Sequence, residues 1–126
     1  MLKIANDSIY NHPLKENHRF PMIKYKLLPN LLIDEGTCNY DNFFIPGDIK
    51  YDDILLTHDH LYFKKLLNFQ LNKKELRAIG FPMSTELINR EMKIVQGTIE
   101  SALNSLKYGV SLNIAGGTHH AFSNRA

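Results

Sequence analysis

Two adjacent imidazoles, His119 and His120, close the run Ala115-Gly116-Gly117-Thr118-His119-His120-Ala121-Phe122. An unperturbed histidine titrates near neutral pH, so such a pair suits general acid–base proton transfer. The preceding segment, Val110-Ser111-Leu112-Asn113-Ile114-Ala115, has the apolar character of a strand. Gly116 and Gly117 then place the imidazoles on a loop at its carboxyl end, where ligands gather in parallel α/β sheets. The glycines could cradle a phosphate, but no Lys-Ser or Lys-Thr follows them, and that reading is weak. A second candidate, His58-Asp59-His60, looks like a small metal cluster. Neighbouring side chains diverge and no distant third ligand is identifiable, so helix capping by Asp59 is the better reading. A third is His18-Arg19, which either lines the rim of a site or anchors its own loop through Arg19 hydrogen bonds. Cys38 has no motif around it that would make it a nucleophile.

The elements that must position these residues follow from spacing. Leu2-Lys3-Ile4-Ala5 reads as a first strand, and Asn6 to Arg19 as a long polar loop carrying His12-Pro13 and His18. Loops of that length invite a functional role. Pro21 suits a first helical position, and Met22, Tyr25, Leu28 and Leu32 keep helical spacing across Pro29, which should break or kink the segment before Gly36 ends it. A strand is expected at Phe43-Phe44-Ile45, closed by a Pro46-Gly47 turn. Asp53 to Thr57 fits a helical turn or a strand. A helix follows from Asp59, with Leu61, Tyr62, Leu66, Leu67 and Phe69. Asn72 with Glu75 three residues later forms a capping box for another, ending at Gly80. The strongest periodicity runs from Ser84 to Tyr108, where Ile88, Met92, Val95, Ile99, Leu103 and Leu106 make one helical stripe, expected to be core. Ser84 or Thr85 caps its start and Gly109 its end. Gly97 in its interior costs about 1 kcal/mol relative to alanine and therefore predicts close backbone packing. Helix, tight glycine, strand and glycine-rich loop form part of a parallel βαβ layout.

The bulk numbers permit one compact domain: 126 residues, 44% hydrophobic, with 15 basic and 13 acidic side chains and a formal charge of +2. The pI is near 8.6, yet the cations are scattered among acids, as in Lys73-Lys74-Glu75 and Arg90-Glu91, so no stripe follows a phosphate backbone and nucleic-acid binding is not expected. A single cysteine forms no internal disulfide and no thiolate zinc cluster, which fits a reducing cytoplasm. No window approaches the apolar run of about 18 residues expected of a membrane span, and the N-terminus has no signal-peptide core.

Tyr10-Asn11-His12-Pro13, His18-Arg19-Phe20-Pro21-Met22, Lys24-Tyr25, His58-Asp59, Tyr62, Gly97-Thr98 and the Gly116 to Phe122 run occur in an order that resembles the histone-deacetylase-like family, closest to its bacterial, class-IV-like members. The resemblance covers nearly all 126 residues, but only the family's N-terminal part. It implies a partial domain over residues 1–126 with an arginase/deacetylase-like three-layer αβα fold and parallel sheet, and zinc-dependent removal of acyl groups from lysine or polyamine amides. By resemblance His120 is the general base that activates metal-bound water and helps protonate the departing amine, with His119 supporting it; His18 and Arg19 fall at the rim, and Gly116 and Gly117 in the loop. The family draws its zinc ligands from an Asp-x-His element and a second aspartate, its oxyanion donor from a tyrosine, and part of its acyl channel from a Gly-Phe-Cys segment, all implied to lie beyond Ala126. The isolated chain is therefore expected to hold no zinc and to hydrolyse no amide unaided. Its incomplete sheet is expected to expose apolar edges and faces, leading to a homo-oligomer, strand exchange or a complementing C-terminal half. The alternatives are a proteolytic piece, an interrupted gene product, or a naturally truncated, non-catalytic remnant that self-associates or binds a partner. A stand-alone small-ligand module using the histidine loop has no sequence feature of its own.

Overall fold

Lys3-Ile4-Ala5 forms the central strand β1 of a three-stranded, wholly parallel sheet in the computed structural model, which describes residues 1–117 and 121–126. Thr118, His119 and His120 lie outside the described residues, and with them both imidazoles of the predicted catalytic pair. The chain is thus of the α/β class. Strand β2 (Phe43–Phe44) pairs with β1 through Ile4↔Phe43 and Ala5↔Phe44, and β3 (Ser111–Asn113) pairs on the other side through Lys3↔Ser111, Ile4↔Leu112 and Ala5↔Asn113. Parallel neighbours need long crossovers. Helix α1 (Lys24–Asp34) lies in the first, and α2 (Tyr51–Leu55), α3 (His60–Leu67), α4 (Lys73–Ile79) and α5 (Thr85–Tyr108) in the second. Among the described residues no helix is long and apolar enough to cross a membrane.

Local rules set most helix ends. Asp59 accepts from the amides of Leu61 (2.8 Å) and Tyr62 (3.2 Å), which makes it the N-cap of α3. Asn72 and Glu75 close the expected capping box on α4, and Gly80 ends that helix at φ +76°. Ser84 caps α5 through the Leu87 amide at 3.1 Å. The ambiguous Asp53 to Thr57 segment lies across the end of α2, so its helical reading holds. Ile45, predicted to extend β2, is instead 75% exposed beyond it.

Of the break or kink expected at Pro29, the break does not occur: α1 runs through it. Tyr25 is the one buried side chain of this helix, so its first turn fixes it to the core while the segment around Pro29 stays near solvent. The stripe on α5 is not uniformly core. Ile88 is buried, but Val95, Ile99, Leu103 and Leu106 are 45%, 37%, 61% and 86% exposed. The side turned to the sheet carries Leu87, Arg90, Ile94, Gly97 and Ser101, all buried. At 100° per residue this set is centred roughly 150° around the helix from the stripe. It escaped a count of apolar periodicity because three of its five members are polar or glycine.

Those small and polar residues let α5 approach the sheet closely. A Cβ on Gly97 would meet Tyr10 Oη at 2.5 Å, Asn113 Nδ2 at 2.9 Å and Pro46 Cγ at 3.1 Å, which accounts for the glycine. Ser101 Oγ donates to the Leu112 carbonyl at 3.0 Å, and Asn113 Nδ2 to the Ile94 carbonyl at 2.9 Å. Since Asn113 reaches α5, its register partner Ala5 shares that face, and Ile4 and Leu112 point to the other. There Ile4 is 1% exposed but Leu112 49%, so the far face of the sheet is closed over β1 and half open over β3.

Candidate functional site

The carboxyl end of β3 is tied down before the histidine loop begins. Asn113 bonds the Ile94 carbonyl and Thr98 Oγ1 (3.0 Å) through one amide nitrogen, and its Oδ1 accepts from the Ala115 amide at 3.4 Å. Ala115 is 2% exposed in a cluster with Tyr10, Met22, Tyr25 and Ile94. Gly116 and Gly117 then emerge at the surface, and a Cβ on Gly116 would meet nothing within 4 Å. The strand end that precedes His119 and His120 in the sequence is therefore buried and hydrogen-bonded up to Ala115.

The first loop is brought to the same strand end. Asp7 caps a single 3-10 turn (Ser8–Tyr10) by accepting from the Ile9 amide at 3.0 Å. Tyr10 is fully buried against Gly97, and burial, followed by the charge of Asp7, pushes its phenol well above the usual range. His18 anchors the loop's far end. Its Nε2–H donates to the Gly80 carbonyl at 3.1 Å, its Nδ1 accepts from the Phe20 amide at 3.2 Å, and its ring stacks on Phe81 at 5.3 Å. Both ring nitrogens are thus engaged in a neutral tautomer, and His18 is a structural pin. Arg19 is exposed and has no hydrogen bond to a described residue, so the anchoring expected of Arg19 falls to His18.

Arg90, noted in the sequence only as one of the cations scattered among acids, is 1% exposed. Its Nε–H donates to the Tyr10 carbonyl at 2.8 Å, its Nη1 pairs with Glu91, and its guanidinium lies 5.1 Å over the Tyr25 ring. Its Nη2 has no hydrogen-bond partner among the described residues. The cation fastens the first loop to α5, and it acts on a second histidine. His12 is 7% exposed, and burial, reinforced by Arg90, holds its imidazole below the ordinary value while Glu86 opposes this. The only sequence signal for Arg90 was its position, three residues after Leu87 and four before Ile94, on the sheet side of the helix.

The chain beyond the histidines returns to the α2–α3 corner. The Asp59 amide donates to the Ser123 carbonyl at 2.6 Å, and His58 Nδ1 bonds the Phe122 carbonyl at 2.9 Å. His58 and Asp59 are thereby committed to the tail and to the α3 cap. Among the described residues no three His, Cys, Asp or Glu side chains form a group able to hold a metal. The described residues alone do not fit a zinc ion.

Gly117 and Ala121, the described residues on either side of Thr118 to His120 in the sequence, both line a cavity of about 370 Å³. Its walls are largely apolar: Ile54 from α2, Tyr62, Phe63 and Leu66 from α3, Phe81 and Met83 from the α4–α5 link, and Leu87, Ile88 and Met92 from α5. Asp53, His58, Glu91 and Arg125 add polar groups. Through Phe81 the His18 anchor reaches the same wall. Of these, the sequence reading took Ile88 and Met92 as core and missed the space they line beside Gly117.

No family model matches the chain. It is 37% identical over 113 residues to an uncharacterised protein of the cyanobacterium Picosynechococcus sp., a match that covers 90% of this chain and 38% of the relative. The chain spans little more than a third of that relative's length.

Proposed function

We propose that this chain is the N-terminal portion of a zinc-dependent, deacetylase-like amide hydrolase of arginase-like fold, acting on acetyl-lysine or another acylated amine in the cytoplasm. The observation that supports the reading is the place of Gly117 and Ala121, beyond the carboxyl end of the parallel strand β3, in the wall of an apolar cavity. Gly117 and Ala121 bracket His119 and His120, and both line the cavity. Cavities of this size with few polar groups suit an acyl chain and its amide. In this reading His120 accepts a proton from the attacking water and returns it to the departing amine, and His119 assists electrostatically. Zinc would supply Lewis-acid polarisation, held by ligands from polypeptide outside residues 1–126. Arg90, His12 and His18 position the first loop and take no proton in the reaction.

The test is release of acetate from an acetyl-lysine peptide by this chain assembled with the remainder of the fold and loaded with zinc. Hydrolysis that requires both the metal and residues 1–126 supports the reading; an assembled, zinc-loaded protein that releases no acyl group from any lysine or polyamine amide refutes it. A non-catalytic, partner-binding role is the second reading, favoured by the exposed apolar face of α5.

A further inference from the structure

Helix α5 carries its apolar stripe on the side away from the sheet, and that outer side is covered for only half its length. Towards the N-terminus, Ile88 and Met92 face the cavity whose opposite wall is Tyr62 and Phe63 of α3. That cover ends at Val95. From there Val95, Ile99, Leu103 and Leu106 continue the stripe at 45%, 37%, 61% and 86% exposure. Steps of four, four and three hold them on one face over about 16 Å, or three helical turns. The sole ionisable residue between Val95 and Leu106 is Glu100, and its carboxylate accepts from the Gly47 amide at 2.9 Å and from Gln96 Nε2 at 2.7 Å.

The chemistry of the absent partner follows. A nucleic acid or an acidic peptide would find no cation along this face, whereas a helix with its own apolar stripe would continue the layer that α3 begins and bury all four side chains. The cyanobacterial relative supplies a source, because more than half of its length lies outside the match. We propose that the outer face of α5 from Val95 to Leu106 seats an amphipathic helix belonging to the further polypeptide that such longer relatives carry. The proposal does not depend on the deacetylase reading, since docking is read without activity.

Co-expression of the 126-residue chain with the part of the Picosynechococcus protein outside the match tests it. The expected product is a one-to-one complex by light scattering in which the amides of residues 95–106 exchange at least tenfold more slowly than in the chain alone. Leu103→Glu with Leu106→Glu weakens the complex by about 100-fold or more, because two leucines lose their buried seat. Leu56→Glu, at an 85% exposed leucine beside α2, leaves it unchanged. Both leucines of the double variant are exposed in the chain, so its helicity is retained by circular dichroism. As a second readout without a partner, the chain alone binds an apolar fluorescent dye, and the double variant binds it several-fold less. Failure to form the complex, a complex indifferent to the double substitution, dye binding that the substitution leaves intact, or a homodimer of the chain dissolved by it, in which case a second copy is the occupant, overturns the proposal.

Discussion

Gly97→Ala sets two effects of opposite sign against each other. In an exposed helix the change would stabilise by about 1 kcal/mol through backbone entropy alone. Here the new methyl would lie 2.5 Å from Tyr10 Oη, 2.9 Å from Asn113 Nδ2 and 3.1 Å from Pro46 Cγ. None of these groups yields easily: Tyr10 and Pro46 are fully buried, and Asn113 spans β3 and α5 with bonds to the Ile94 carbonyl and Thr98. Overpacking costs about 1–3 kcal/mol, and displacing Asn113 forfeits two hydrogen bonds at roughly 0.5–1.5 kcal/mol each. The sum, about 2–6 kcal/mol, exceeds the helix gain, so the variant is destabilised by about 1–5 kcal/mol. Urea unfolding followed by circular dichroism reads this as a lower midpoint at unchanged slope. A midpoint equal to or above that of the parent chain would refute the close α5–sheet approach on which the placement of Tyr10 and Asn113 rests.

Three further outcomes are expected. Asp59→Ala removes an N-cap that serves two amides and costs about 1 kcal/mol of stability by the same assay, whereas an unchanged midpoint would reopen the metal-ligand role of this residue. Pro29→Ala restores a donor within α1 and raises stability by up to about 3 kcal/mol, checked by thermal melting. His12 titrates by NMR below the ordinary histidine value; because the folded state resists its protonation, stability is full at neutral pH and declines as pH falls through the ordinary value towards the lowered one, and His12→Asn flattens that decline.

What was legible in the sequence was local. Asp59, the Asn72–Glu75 pair, Gly80 and Ser84 announce helix ends because capping links residues two to four apart. The three strands stood out as short apolar runs bounded by turn residues. Contacts that join distant segments were hidden. Arg90 and Tyr10 are separated by 80 positions, and no pattern near either shows that a guanidinium closes the first loop. The sequence left His18-Arg19 open between lining a rim and anchoring the loop through Arg19; the bond from His18 to the Gly80 carbonyl was hidden because that acceptor lies 62 residues away and has no side-chain signature. The α5 stripe misled because apolar periodicity identifies a helix face without saying whether this chain covers it. Gly116 and Gly117 follow β3 outside any regular element, and the apolar cavity that Gly117 lines had no sequence signal of its own.

Proton transfer in the proposed hydrolase rests on His120. In the zinc-loaded protein assembled with the rest of its fold, His120→Ala should lower the turnover of an acetyl-lysine peptide by about 10²–10⁴-fold while leaving zinc content and the circular dichroism spectrum unchanged. Equal turnover in the variant and the parent would contradict the assignment of proton transfer to this loop.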